Sequence, residues 1–235
     1  MSIRAVLFDV GGPLDTEILH EQYVDKYLRR AVRAVGCSPT DEEFAAASAA
    51  AVTAYAPDAY AAMAWQLCGQ DPDRTREALR LFQREWSAER AAERGGMELR
   101  PGIAELLRRL YERGLLLGLA ANQPARIIEE LDRHGIGELF GHREVSGHHG
   151  YRKPDVRLFL RACEDLGVEP LECIMVGDRI DNDIFPARLL GMRTVLFRTG
   201  RHIEQRPRTL DEIPDAVVTN IDELESAILA LCAKP

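Results

Sequence analysis

From about residue 100 onward the chain alternates short apolar runs with segments of helical period. That alternation constrains the fold more than any other feature of the sequence. The runs are residues 115–120, 173–176, 194–197 and 216–219, joined near the N-terminus by residues 3–8. None alternates apolar with polar residues, the pattern of strands covered on both faces. Between them, Ile103, Leu106, Leu107, Leu110 and Tyr111 fall on one face of a helix that follows Pro101-Gly102 and stops at Gly114. Further helices are expected after Pro124, with Ile127, Ile128 and Leu131 inward, from Pro154 to near Gly167, from near Ile180, and from about Asp222 with Leu224, Ile228 and Leu231. Such a succession predicts an α/β fold, a doubly wound parallel sheet of Rossmann type.

Residues 16–98 break the pattern. They hold no strand candidate, helical stretches follow Thr16, Pro39-Thr40, Pro57 and Pro72, and twelve alanines lie between Ala45 and Ala64. The expectation is an all-helical insert over 16–98, with 1–15 and 99–235 forming the α/β core.

Composition narrows the function. A formal net charge of −8 argues against a nucleic-acid surface, because phosphate binding starts from a basic stripe. A hydrophobic fraction of 46 % is ordinary for a globular core. The N-terminus carries no basic stretch before its apolar run. The longest apolar stretch is broken by Ser48, Thr53 and Pro57, short of the roughly 20 residues of a membrane span. A soluble, cytoplasmic protein is expected. Cys37, Cys68, Cys163, Cys173 and Cys232 are odd in number and show no C-x-x-C spacing, which predicts free thiols. Of 30 basic residues only Lys26, Lys153 and Lys234 are lysines.

In an open parallel sheet, function collects beyond the carboxyl ends of the strands. Asp9 with Gly11-Gly12 stands there, as do Ala121-Asn122-Gln123 and Gly177-Asp178 with Asp181 and Asp183, while Lys153-Pro154 opens a helix. Phe8-Asp9-Val10-Gly11-Gly12-Pro13-Leu14-Asp15, Lys153-Pro154, and Gly177-Asp178 with Asp183 resemble, in order, the motifs of the haloacid dehalogenase superfamily. The helical insert lies where that superfamily carries its C1-type cap.

The resemblance implies a Mg²⁺-dependent phosphohydrolase of a small phosphorylated metabolite, with the cap closing over the site. Asp9 would be the nucleophile, giving an aspartyl-phosphate. Mg²⁺ would be held by Asp9, the Gly11 carbonyl and Asp178, with Asp183 acting on a bound water. Lys153 would offset charge between Asp9 and the phosphate, and Gly12 and the Asn122 backbone N–H would line the phosphoryl site. These parts match what phosphoryl transfer needs: a nucleophile, a cation on the phosphoryl oxygens and fixed positive charge. A lysine kept in an arginine-rich chain suits a site that wants a compact ammonium. Plainer roles stand beside these: Asp178 and Asp183 as helix caps, Asp181 as a cap or solvated, Asp15 closing a hinge, and His134, His148 and His149 as helix-end or loop residues.

Two positions depart from the family pattern. Gly11 stands where phosphatases of this group carry a second Asp as general acid and base, and Ala121 where a Ser or Thr hydroxyl meets the phosphoryl group. Three readings follow. One is a phosphohydrolase that favours a good leaving group, or borrows an acid from Asp15, Glu17, His20 or the cap. Another is a dehalogenase, which needs no proton for halide but also uses no Mg²⁺. The last is a non-catalytic phosphometabolite-binding or interaction protein on the same scaffold.

Overall fold

The computed structural model describes residues 2–91 and 96–233, so Lys234 lies outside the described residues. By contact density the chain separates into two compact units. One comprises Met1–Thr16, Met97–Ile203 and Pro207–Pro235; the other Glu17–Gly96 and Glu204–Arg206.

The first unit is a six-stranded, all-parallel sheet: β1 (Ala5–Phe8), β2 (Leu116–Leu119), β3 (Phe140–His142), β4 (Cys173–Gly177), β5 (Arg193–Phe197) and β6 (Ala216–Val218). Their spatial order is β3-β2-β1-β4-β5-β6, so the winding reverses between β1 and β4. Helices α5 (Ile103–Glu112), α6 (Ile127–Arg133), α7 (Ser146–His149), α8 (Val156–Leu166) and α9 (Phe185–Leu189) lie between the strands, and α10 (Ile221–Cys232) follows β6.

The continuous apolar runs are explained by burial on both faces. Side chains alternate across a strand, so Val6, Phe8, Ile174 and Val176 pack with Leu106, Leu107 and Leu110 of α5 and with Leu224, Ile228 and Leu231 of α10. Ala5, Leu7, Cys173 and Met175 point the other way, onto Leu158, Phe159 and Ala162 of α8. Both sets are essentially solvent-free. Gly118 has no room for a side chain, because a Cβ there would stand 2.8 Å from Leu7 and 3.0 Å from Leu166.

Two details differ from the sequence reading. Phe140–His142 is an edge strand, paired to β2 through a register shift, and its three residues hold too little apolar periodicity to announce it. Tyr111 is 54 % exposed rather than inward, because it lies at the end of α5, where the helical stripe has drifted off the sheet.

The second unit contains α1 (Ile18–Ala34), α2 (Asp41–Thr53), α3 (Ala59–Leu67) and α4 (Pro72–Ala91). Thr40 starts α2 with a capping box: its hydroxyl accepts from the Glu43 N–H at 3.2 Å, and the Glu43 carboxylate accepts from the Thr40 N–H at 2.8 Å. Asp58 caps α3 through the Ala61 N–H at 3.0 Å. The buried cluster mixes Leu28, Met63 and Phe82 with Ala31, Ala47, Ala51, Ala64 and Ala78, while Ala45, Ala46, Ala49 and Ala54 of the alanine-rich stretch are exposed. The unit also takes in Glu204–Arg206, although this segment lies within the 99–235 span expected for the core. The Tyr55 hydroxyl donates to the Arg206 carbonyl at 2.5 Å, a tie between residues 151 apart that no local pattern encodes.

No helix among the described residues is long and apolar enough to cross a membrane. All five cysteines are free.

Leu107 is fully buried between α5 and the sheet. Leu107→Ala is expected to cost about 2–5 kcal/mol in a urea titration, whereas Tyr111→Ala on the exposed flank of the same helix should stay within about 0.5 kcal/mol.

Candidate active site

Strands β1 and β4 are neighbours in register, with Phe8 opposite Val176. The residues just past their carboxyl ends therefore meet where the winding reverses. From β1 comes Asp9, whose N–H donates to the Val176 carbonyl at 2.9 Å. From β4 come Asp178 and, across a π-helical turn at Ile180–Ile184, Asp183. One carboxylate oxygen from each of Asp9, Asp178 and Asp183 lies within 4.8 Å of the others.

Lys153 enters this acidic cluster from the loop before α8. Its ammonium stands 2.8 Å from Asp9 Oδ2 and 2.6 Å from Asp183 Oδ1, with the side chain 1 % exposed. The other oxygen of each carboxylate accepts a backbone N–H: Val10 to Asp9 Oδ1 at 2.8 Å, and Arg179 to Asp183 Oδ2 at 2.9 Å. Burial works against the Lys153 charge, yet Asp183 and Asp9 together outweigh it and hold its pKa above the ordinary lysine value. Burial pushes the Asp183 carboxyl up to about 6 against the pull of Lys153, and the negative charge of Asp9 adds to the rise.

Close backbone approach shapes the rest. Gly12 has φ +79°, and a Cβ there would stand 2.7 Å from the Cβ of Asp178. Gly177 has no room either, since a Cβ would collide with Asp183. Gly11 is buried and bridges to Asp15. The Asp15 carboxylate accepts from the Glu98 N–H at 3.1 Å, and the Thr16 N–H donates to the Glu98 carbonyl at 2.9 Å. Asp15 thus closes the neck from which the helical insert departs.

Other candidates fall into ordinary roles. Asp181 pairs with Arg179 at 2.6 Å. His134 ends α6 with Nε2 3.1 Å from the Met97 carbonyl. His148 and His149 each accept a backbone N–H on Nδ1, from Val145 and Tyr151 at 3.1 Å. The Asn122 side chain is occupied by the Lys153 main chain, and the group expected at the phosphoryl site is its backbone N–H.

Arg100 carried no sequence signal. Its guanidinium donates to the Gly12 carbonyl at 2.7 Å and to Thr199 at 3.0 Å, and lies 4.7 Å from the Phe197 ring centroid. It therefore braces the loop after β1 against the end of β5. Only the assembled sheet brings these groups together.

The donor set fits a hard divalent cation. It is all oxygen, and three carboxylates against one ammonium leave two negative charges in excess in a largely buried site. Asp9, Asp178 and Asp183 are the residues that could hold such an ion.

Comparison with known proteins places the site in context. A family model described as haloacid dehalogenase-like hydrolase matches residues 3–191. The chain is similar to an N-acetylmuramic acid 6-phosphate phosphatase of Pseudomonas aeruginosa, 31 % identical over 97 % of both chains. It is similar to a glyceraldehyde 3-phosphate phosphatase of Methanopyrus kandleri, 36 % identical over 132 residues. That match covers 56 % of this chain and 57 % of the relative, so the chain spans little more than half of that relative's length. A crystal structure of a phosphatase from Thermococcus onnurineus superposes with a TM-score of 0.61 over 96 % of this chain and 98 % of that one, at 23 % identity, which establishes likeness of fold.

Two tests follow from the electrostatics. Removing the ammonium in Lys153→Met should destabilise the metal-free protein by about 3–5 kcal/mol in thermal or urea unfolding, because it leaves buried carboxylates uncompensated. The raised Asp183 carboxyl stabilises the metal-free fold fully below the unfolded value near 3.8, a contribution lost as pH rises through about 6. Unfolding measured in chelator from pH 4 to 6.5 should therefore show wild type losing stability relative to Asp183→Asn; parallel pH curves would contradict this.

Proposed function

Because the chain belongs to the haloacid dehalogenase-like hydrolases, we propose that it is a Mg²⁺-dependent phosphatase of a small phosphorylated metabolite. The observation that carries this reading is the convergence of Asp9, Asp178 and Asp183, with the buried Lys153 ammonium paired to Asp9 and Asp183. The named relatives, phosphatases of a sugar-acid phosphate and of a triose phosphate, support the same substrate class.

In this reading an Asp9 oxygen attacks phosphorus and the bond from phosphorus to the ester oxygen breaks, leaving an aspartyl-phosphate. Water then attacks that phosphorus and returns Asp9 as a free carboxylate. Lys153 pairs with Asp9 at 2.8 Å and offsets charge on the transferring group. Asp9, the Gly11 carbonyl and Asp178 would hold the cation, with Asp183 behind them. Bound there, Mg²⁺ supplies charge stabilisation on the phosphoryl oxygens. Gly12 lets the main chain come close enough for its amides to meet the phosphoryl group. The helical insert is assigned the role of cap and substrate selector.

Gly11 leaves the departing oxygen without the carboxylic acid usual at that place, and Ala121, fully buried, offers no hydroxyl. General acid–base help is worth about 10²–10⁴ in rate. Asp15, bonded into the neck, is not the substitute. The proposed enzyme therefore favours substrates whose leaving oxygen needs no proton.

With Mg²⁺, an aryl phosphate should turn over at least about 10²-fold faster than an alkyl phosphate. Asp9→Asn should abolish both activities, and Gly11→Asp should raise the alkyl rate selectively. Absence of turnover on either ester, unchanged in Asp9→Asn, would point to a binding protein. Chloride release from a 2-haloacid without Mg²⁺ would point to dehalogenation.

A further inference from the structure

Asn122 stands just past the carboxyl end of β2 and spends both ends of its carboxamide on a single residue. Its Oδ1 accepts the Lys153 N–H at 2.7 Å, and its Nδ2 donates to the Lys153 carbonyl at 3.0 Å. We propose that Asn122 is a positioning residue: it clamps the main chain of Lys153 and thereby sets the ammonium between Asp9 and Asp183. The inference deepens the reading of the site as a phosphatase centre and rests on that reading for its kinetic consequences alone.

The surroundings form a built platform. The Ala121 carbonyl accepts the Ser146 N–H at 3.1 Å, and the Gln123 carbonyl accepts the Gly147 N–H at 2.9 Å. Gly147 lies so close that a Cβ would stand 2.5 Å from the Ala125 nitrogen and 2.8 Å from the Pro124 Cα. The stretch after β2 is thus docked against 146–147 on either side of Asn122, and Asn122 itself grips Lys153, 31 residues away.

Strands β2, β1 and β4 are consecutive neighbours in the sheet. Lys153 is therefore anchored from β2 at its main chain, and received at its ammonium by Asp9 after β1 and Asp183 after β4. A lysine has a flexible four-carbon stem. Fixing its main chain as donor and acceptor together removes the freedom to slide along the strand direction. The requirement is strict, because two ion pairs of 2.8 and 2.6 Å must form at once, and a displacement of about 1 Å in such a site can cost about 10²-fold in rate.

The three lysines of the chain make a direct test possible. In wild type, Lys153 is buried and should resist acylation by an amine-reactive ester, while exposed Lys26 reacts and serves as the internal reference. In Asn122→Ala the Lys153 acylation rate, read by mass spectrometry, should rise at least about 10-fold relative to Lys26. Aryl phosphate turnover should show kcat reduced about 10–100-fold with KM within about two-fold. Asn122→Asp keeps the acceptor for the Lys153 N–H but loses the donor, and should change in the same direction while retaining the fold by circular dichroism. Unchanged Lys153 acylation in both variants overturns the proposal, as does a rise in KM alone, which would make Asn122 a substrate ligand. Increased acylation in a protein that hydrolyses no phosphate ester would uphold the clamp and remove only the phosphatase reading.

Discussion

The site depends on one buried ammonium shared between two carboxylates. Without Lys153, Asp9 and Asp183 would face each other in a region where charge is costly to bury. With it, each carboxylate has one oxygen on the ammonium and the other on a backbone N–H. The arrangement stays negative overall, and that residual charge is what makes a divalent cation its natural complement. The elevation of Asp183, produced by burial ahead of its partners, is the same imbalance expressed in a single group.

Everything around the site serves to bring those groups together. Reversal of the winding between β1 and β4 sets Asp9 beside Asp178 and Asp183. Glycines admit close approach where a side chain would intrude: Gly12 against Asp178, and Gly177 against Asp183. Arg100 and Asn122 then act at one remove, Arg100 on the loop after β1 and Asn122 on Lys153. A sheet covered on both faces gives these loops a rigid base, since Val6 and Phe8 are locked into one core and Ala5 and Leu7 into the other.

Much of this was legible in the residues. Uninterrupted apolar runs revealed five of the six strands because strands buried on both faces need no polar positions. Asp9 and Asp178 stood out because they close such runs, and Lys153 and Asp183 because all four fall in order into the motifs that the chain resembles. Phe140–His142 escaped because an edge strand of three residues, one of them Gly141, carries almost no pattern. Asn122 was legible as a residue near the phosphoryl site, but its side chain is engaged elsewhere, and a hydrogen bond over 31 residues leaves no local trace.

The amino-acid order alone carries the class of fold, the succession of the chemistry-bearing loops and the residue types available to them, because hydrophobic period and turn chemistry are local properties of the chain. It also determined what is missing: a carboxyl at Gly11 and a hydroxyl at Ala121. Which of those groups meet is set by the packing of the strands. Whether Lys153 touches Asp9, Asp183 or both, whether Asp15 ties the neck, and what the Asn122 side chain grips are matters of distances between strands. Those distances follow from sheet order and register, which exist only once the strands have paired.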